Sequence, residues 1–246
     1  MSVLIVSGTD TGVGKTVVTA AVAALAAARG ATVAAVKPVQ TGAAPDEYGD
    51  LDTVRALAGV GDLHEYARYP DPLSPAAAAR HAQRPALELT AAAERIRDLA
   101  ERRRLVIVEG AGGLLVRYDE EGSTIADLAR MLHAPVLVVC RADLGTLNHT
   151  ALTLEVLAGH GLDLAGVVIG SWPDQPDLAC RSNIRDLETL AARPLSGVLP
   201  SGAGGLGPAD FLLVARLGLA PALGGTFVPA DFRRRHEPGA GGTSVE

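Results

Sequence analysis

Lys15 and Thr16 stand at the end of a short Gly/Thr-rich run, Ser7-Gly8-Thr9-Asp10-Thr11-Gly12-Val13-Gly14, that follows the apolar stretch Val3 to Val6. An Ala-rich segment comes next. Strand, glycine loop and helix in that order make a phosphate cradle: backbone N–H groups point inward, and the helix N-terminus adds its positive dipole end. The lysine reaches terminal phosphates and the Thr16 hydroxyl is free for a magnesium ion. The usual spacing puts a glycine at position 9, where this chain has Thr9, so the loop is a variant with one extra residue. A second cation, Lys37, lies in Lys37-Pro38-Val39-Gln40-Thr41-Gly42 directly after an apolar stretch. Paired lysines with magnesium suit phosphoryl transfer, which depends on positioning and charge neutralisation.

Carboxylates complete the set. Glu109 closes the apolar run Leu105 to Val108 and precedes Gly110-Ala111-Gly112-Gly113, a fitting place for a metal-holding acid. A second acid must come from the loop carrying Asp46, Glu47, Asp50 and Asp52, because magnesium takes one or two protein carboxylates beside phosphate oxygens and water. Gly145-Thr146-Leu147-Asn148-His149 opens a helix whose free N–H groups suit a small carboxylate, with plain capping an equal reading and His149 a weak general base.

The elements that must position these residues follow from periodicity. Helices are expected over 16–29, 50–58, 76–82, 90–104, 124–132, 146–158 and 177–192, and strands over 3–6, 32–36, 105–108, 135–140, 165–170 and 195–199. Pro38 and Gly42 argue against a regular element there, and prolines 70, 72 and 75 mark residues 60–75 as irregular. Six apolar strands alternating with helices predict an α/β fold, a mostly parallel sheet with helices on both faces. Ligands then collect at the carboxyl ends of the strands, where the glycine loop, Lys37 to Thr41, Glu109 to Gly113, Arg141 to His149, Ser171-Trp172 and Pro200 to Gly205 all fall.

The 246 residues fit one domain, expected over 1–223, with the Gly/Arg/Pro-rich 224–246 as a flexible tail. A formal charge of −6 argues against a nucleic-acid binder. No apolar run reaches membrane-spanning length and the start lacks a signal-peptide pattern. Cys140 and Cys180 show no paired or metal spacing, so a cytoplasmic protein is expected.

Taken together, Gly8 to Thr16, Lys37 to Gly42, Glu109 to Gly113 and Asp143 to His149 resemble the dethiobiotin synthetase family of P-loop ATP-dependent ligases over roughly residues 2 to 205. The extra-residue loop is normal in that family. The resemblance implies ATP or another nucleoside triphosphate, Mg²⁺, carbon dioxide and 7,8-diaminopelargonic acid as participants. It implies nucleotide contacts from Gly12, Val13, Gly14, Lys15, Thr16, Glu109, Gly170, Ser171 and Pro200. Lys15, Lys37 and Thr11 would serve catalysis. Thr16, Asp50 and Glu109 would hold magnesium, with Asp52 the fallback for Asp50. Thr41 and Gly145 to Asn148 would contact the substrate, the last four across a homodimer interface. Where the family often has Asn to read the adenine edge, this chain has Gly170-Ser171-Trp172, and Trp172 either stacks on a base or is buried. A partitioning-type switch ATPase is the alternative, although such proteins usually carry a second lysine near position 10, which is Asp10 here. A glutamine-amidotransferase relative would need a further domain.

Overall fold

A computed structural model describes residues 3–237. Seven parallel strands stand in the order β3-β2-β4-β1-β5-β6-β7. They are β1 (Val3–Gly8), β2 (Val33–Thr41), β3 (Leu63–Tyr69), β4 (Leu105–Gly113), β5 (Val136–Cys140), β6 (Leu164–Trp172) and β7 (Gly197–Pro200). The helices are α1 (Lys15–Ala28), α2 (Asp50–Ala58), α3 (Pro75–His81), α4 (Leu89–Arg102), α5 (Ile125–Leu132), α6 (Thr146–Gly159), α7 (Leu178–Ala191), α8 (Pro208–Gly218) and α9 (Pro229–His236).

Strand alternation sends Leu4 and Val6 to one face and Val3 and Ile5 to the other, so the sheet carries two cores. One holds α1, α2 and α8; residues of α4, α5, α7 and α9 fill the other. α1 is buried on almost every face, which its run of alanines permits by letting the helix sit close between sheet and neighbours. Chain order reverses across β1, which lies between β4 and β5, and such a reversal opens a crevice at the strands' carboxyl ends.

Four expectations are corrected. Residues 37–41 continue β2 rather than forming a loop. The proline is tolerated because pairing of β2 with β4 ends at Val36, and the register with β3 passes from Lys37 to Val39 without it. Residues 63–69, expected irregular, form β3, a seventh strand at the sheet edge; its half-exposed side chains lack the apolar run that marks the central strands. β4 runs on through Glu109 to Gly113 instead of ending in a glycine turn.

The fourth correction concerns the tail. After a 3-10 turn at Pro221–Leu223, residues 229–236 of the expected tail form α9, whose Phe232 is buried. Residues 238–246, the rest of the expected tail, lie outside the described residues. α8, for which the sequence supplied no expectation, packs beside α1 and α2. Leu219 then bridges to Gly197 on the outer side of β7, covering that edge before the chain crosses to the opposite face.

Candidate active site

The glycine loop is suspended between strands. Thr9 N–H donates to the Val139 carbonyl of β5 at 2.9 Å, and Gly12 (φ 72°) and Gly14 (φ 96°) take the left-handed turns that lead into α1. Gly170 at the end of β6 touches the loop so closely that a Cβ there would lie 2.0 Å from the Val13 carbonyl. Lys15 is buried and its Nζ donates to the Asp10 carbonyl at 2.9 Å. Burial, aided by the positive charge of Lys37, pushes its pKa down to about 8.

Lys37 projects from β2 into the centre of the site. Its Nζ meets Glu109 Oε1 at 2.8 Å and Asp50 Oδ2 at 2.5 Å, and donates to the Gly110 carbonyl at 3.1 Å. Burial works against its charge, but Glu109 and Asp50 outweigh burial and hold the pKa above that of an ordinary lysine. Thr16 Oγ1 donates to the same Glu109 oxygen at 2.8 Å. Burial alone would raise the Asp50 pKa; Lys37, with Glu109 and Thr16 alongside, brings it below the usual carboxylate range.

The α2 start that carries Asp50 is fixed on both sides. Asp50 N–H donates to Gln40 Oε1 of β2 at 3.0 Å, while Asp52 is spent capping the helix through the Gly49 N–H at 2.9 Å. This geometry chooses Asp50 over Asp52 as the acid that faces Lys37.

The second oxygen of Glu109, Oε2, is buried and has no hydrogen-bond partner among the described residues. A lone carboxylate oxygen beside Asp50 and a threonine hydroxyl is the all-oxygen donor set that suits Mg²⁺, so these residues fit the ion the sequence implies.

Lys15, Thr16, Lys37, Asp50 and Glu109 line one cavity of about 690 Å³. Thr11 and Thr41 also face it, as do the glycines of the loop other than Gly8. The opposite wall is Pro72-Leu73-Ser74-Pro75, which sequence reasoning missed. Nothing in the spacing of those four residues signals a ligand; only the place of β3 beside β2 brings them there.

A smaller cavity of about 250 Å³ lies on the other side of the loop, lined by Gly12, Val13, Arg141, Ser171, Cys180 and Ser201 among others. Pro200 pairs with Trp172, and it is the following Ser201 that faces this cavity. Trp172 is buried against Phe232 and His236, which excludes it as a stacking platform.

Among the described residues, Gly145 to Asn148 at the start of α6 line neither cavity of their own chain. Gly145 and Asn148 are exposed, Thr146 Oγ1 donates to the Arg141 carbonyl at 2.9 Å, and Leu147 packs toward the core.

A glycine cradle at the carboxyl edge of a parallel sheet, with a lysine and threonine opening the next helix, defines a P-loop nucleotide-binding protein. The comparisons agree. Residues 2–204 match the family described as an AAA domain. The chain is 65% identical to the ATP-dependent dethiobiotin synthetase BioD of Frankia casuarinae, over 96% of this chain and 100% of that protein. It is 54% identical to the protein of the same name from Streptomyces coelicolor, over 97% and 100%.

Among solved structures it resembles the septum site-determining protein MinD from Pyrococcus horikoshii, with a TM-score of 0.54 and 18% identity, covering 87% of this chain and 91% of that one. A ParA family ATPase from Chlorobium tepidum gives a TM-score of 0.53 and 16% identity, with 91% and 95% covered. Those two likenesses concern the fold alone. The chain belongs to the ATP-dependent dethiobiotin synthetase family.

Proposed function

We infer that this protein closes the cyclic urea of dethiobiotin from 7,8-diaminopelargonic acid and carbon dioxide, consuming ATP. The observation that carries the reading is the meeting of Lys15, Lys37, Thr16, Asp50 and Glu109 in one cavity. One amine of the substrate takes up carbon dioxide as a carbamate and releases a proton. The carbamate oxygen attacks the terminal phosphate of ATP, ADP leaves, and a carbamic-phosphoric anhydride forms. The second amine attacks the carbonyl carbon, the ring closes, and phosphate departs, taking up the proton that the amine gives up.

Lys37 remains a cation throughout the physiological range, because its pKa is held above the ordinary value; it stabilises anionic oxygens and cannot act as a base. Lys15 turns from the Asp10 carbonyl to the phosphates, and Thr11 and Thr41 hydrogen-bond around the reacting carbamate. Thr16, Asp50 and Glu109 would hold Mg²⁺, which when bound neutralises charge on the phosphate oxygens. Ser171 and Ser201, with the loop backbone, face the nucleoside. We assign the start of α6 to the substrate carboxylate of a partner subunit in a homodimer, and the reaction to the cytoplasm.

The test is phosphate release by purified protein supplied with Mg²⁺, ATP and bicarbonate, with and without the diamine. Release is expected only with the diamine present. Release indifferent to it would instead mark a switch ATPase.

A further inference from the structure

The end of β6 carries an irregularity that the established family reading does not use. Ile169 pairs with Val198 and Trp172 with Pro200, so β6 spends three residues where β7 spends two. One extra residue in a strand beside a site re-aims its neighbours. Here the extra length lets Gly170 lie on the Val13 carbonyl while Ser171 lines the smaller cavity.

Trp172 is the first residue beyond the bulge. Its carbonyl accepts from Ser201 N–H at 2.7 Å, so its placement sets both Ser171 and Ser201.

The Trp172 ring is gripped from the far end of the chain. Phe232 meets it edge-on at 5.0 Å and His236 at 5.1 Å, both from α9. Phe227 supports Phe232 at 5.6 Å, and Arg233 ties the helix to Glu188 of α7 by an ion pair.

We propose that α9 positions the nucleoside half of the ATP site, with Phe232 and Trp172 as positioning residues that hold the β6 bulge against the loop. The proposal rests on reading the smaller cavity as the nucleoside side.

Equilibrium binding of ATP and of inorganic tripolyphosphate, without diamine, is measured on the full-length wild type and on Phe232→Ala. Docking of α9 is read from the emission of Trp172, the chain's single tryptophan. Phe232→Ala is expected to shift that emission to the red and to weaken ATP about tenfold, with tripolyphosphate bound as before because the loop is intact. Phe232→Leu, which keeps apolar volume, should restore both readouts.

Unchanged ATP affinity in Phe232→Ala overturns the proposal, as does equal weakening of ATP and tripolyphosphate. Unshifted emission also overturns it. Should Phe232→Ala fail to fold, Arg233→Ala, which unties α9 from α7, carries the same comparison with Phe232→Leu as the wild-type-like control, and an ATP affinity equal to wild type in Arg233→Ala overturns it. A wild type that binds ATP but ignores the diamine would sink the proposed reaction and leave this inference standing.

Discussion

Two buried lysines in one cavity hold their protons differently because their surroundings differ. Lys37 has two carboxylates on it and stays charged, whereas Lys15 has a carbonyl partner and a neighbouring cation, and its pKa of about 8 falls within reach of ordinary assay conditions. The protonated form of Lys15 is the one that binds phosphate. In the free enzyme, kcat/KM for ATP should therefore fall as pH rises through about 8. The inflection in kcat should lie higher, because bound triphosphate favours the charged lysine. Lys15→Arg, which stays charged, should remove the inflection between roughly pH 7 and 9. A profile that keeps its inflection in that variant would assign the titration elsewhere.

Lys37→Ala poses a second question at the same scale. The developing charge on the carbamate and anhydride loses its stabiliser, so kcat should drop about a thousandfold while the ATP dissociation constant changes less than about threefold. The substitution also leaves Glu109 and Asp50 facing each other without their cation, a loss that costs about 3–5 kcal/mol for a buried pair. Mg²⁺ should recover part of that stability, raising the melting temperature of the variant more than that of the wild type. Parallel loss of turnover and ATP affinity would move Lys37 to nucleotide holding.

At the scale of elements, the site is built where strands and loop meet without room to spare. Gly170→Ala would drive a Cβ onto the Val13 carbonyl and into the buried Val139 side chain, with Gly14 Cα close behind, so no flexible atom is there to give way. We expect a loss of about 1–3 kcal/mol in thermal or denaturant unfolding. Gly61→Ala, with open space around it, should stay within about 0.5 kcal/mol. ATP affinity should fall in the first variant only.

The same elements explain what the sequence could tell. β1, β5 and the body of β4 are buried on both faces and read as apolar runs. The glycine loop, Lys37 and Glu109 were legible because each ends such a run. β3 was not, since Leu63-His64-Glu65-Tyr66-Ala67-Arg68 is half-exposed at an edge and mixes charge with apolar residues. With β3 unseen, the Pro72–Pro75 wall had no place in the site. The sequence places Lys37 in a loop because Pro38 argues against a strand unless one neighbour has already stopped pairing, as β4 has here. α9 hides for a related reason: Pro229-Ala230-Asp231-Phe232-Arg233-Arg234-Arg235-His236 offers a single apolar anchor, and only the aromatic partner on β6 shows what that anchor does.

On the scale of the whole molecule, Lys15, Thr16, Lys37, Asp50 and Glu109 share one cavity, while the α6 start, proposed above for the substrate carboxylate, is not among the lining of either cavity in its own chain. Leu144 next to that helix start is 86% exposed and Leu152 further along α6 is 58% exposed, which is compatible with the proposed contact to a second copy. If the α6 start of one subunit serves the cavity of the other, defects in the two halves should complement. Lys37→Ala and Asn148→Ala, each impaired alone, would exchange into heterodimers in which one site carries both defects and the other carries neither. Random exchange makes half the dimers mixed, each with one intact site, so activity should recover to about a quarter of wild type. Sedimentation equilibrium should report a dimer in the same samples. A monomer, or mixtures no more active than the average of the two variants, would confine each site to a single chain and leave the α6 start without its assigned role.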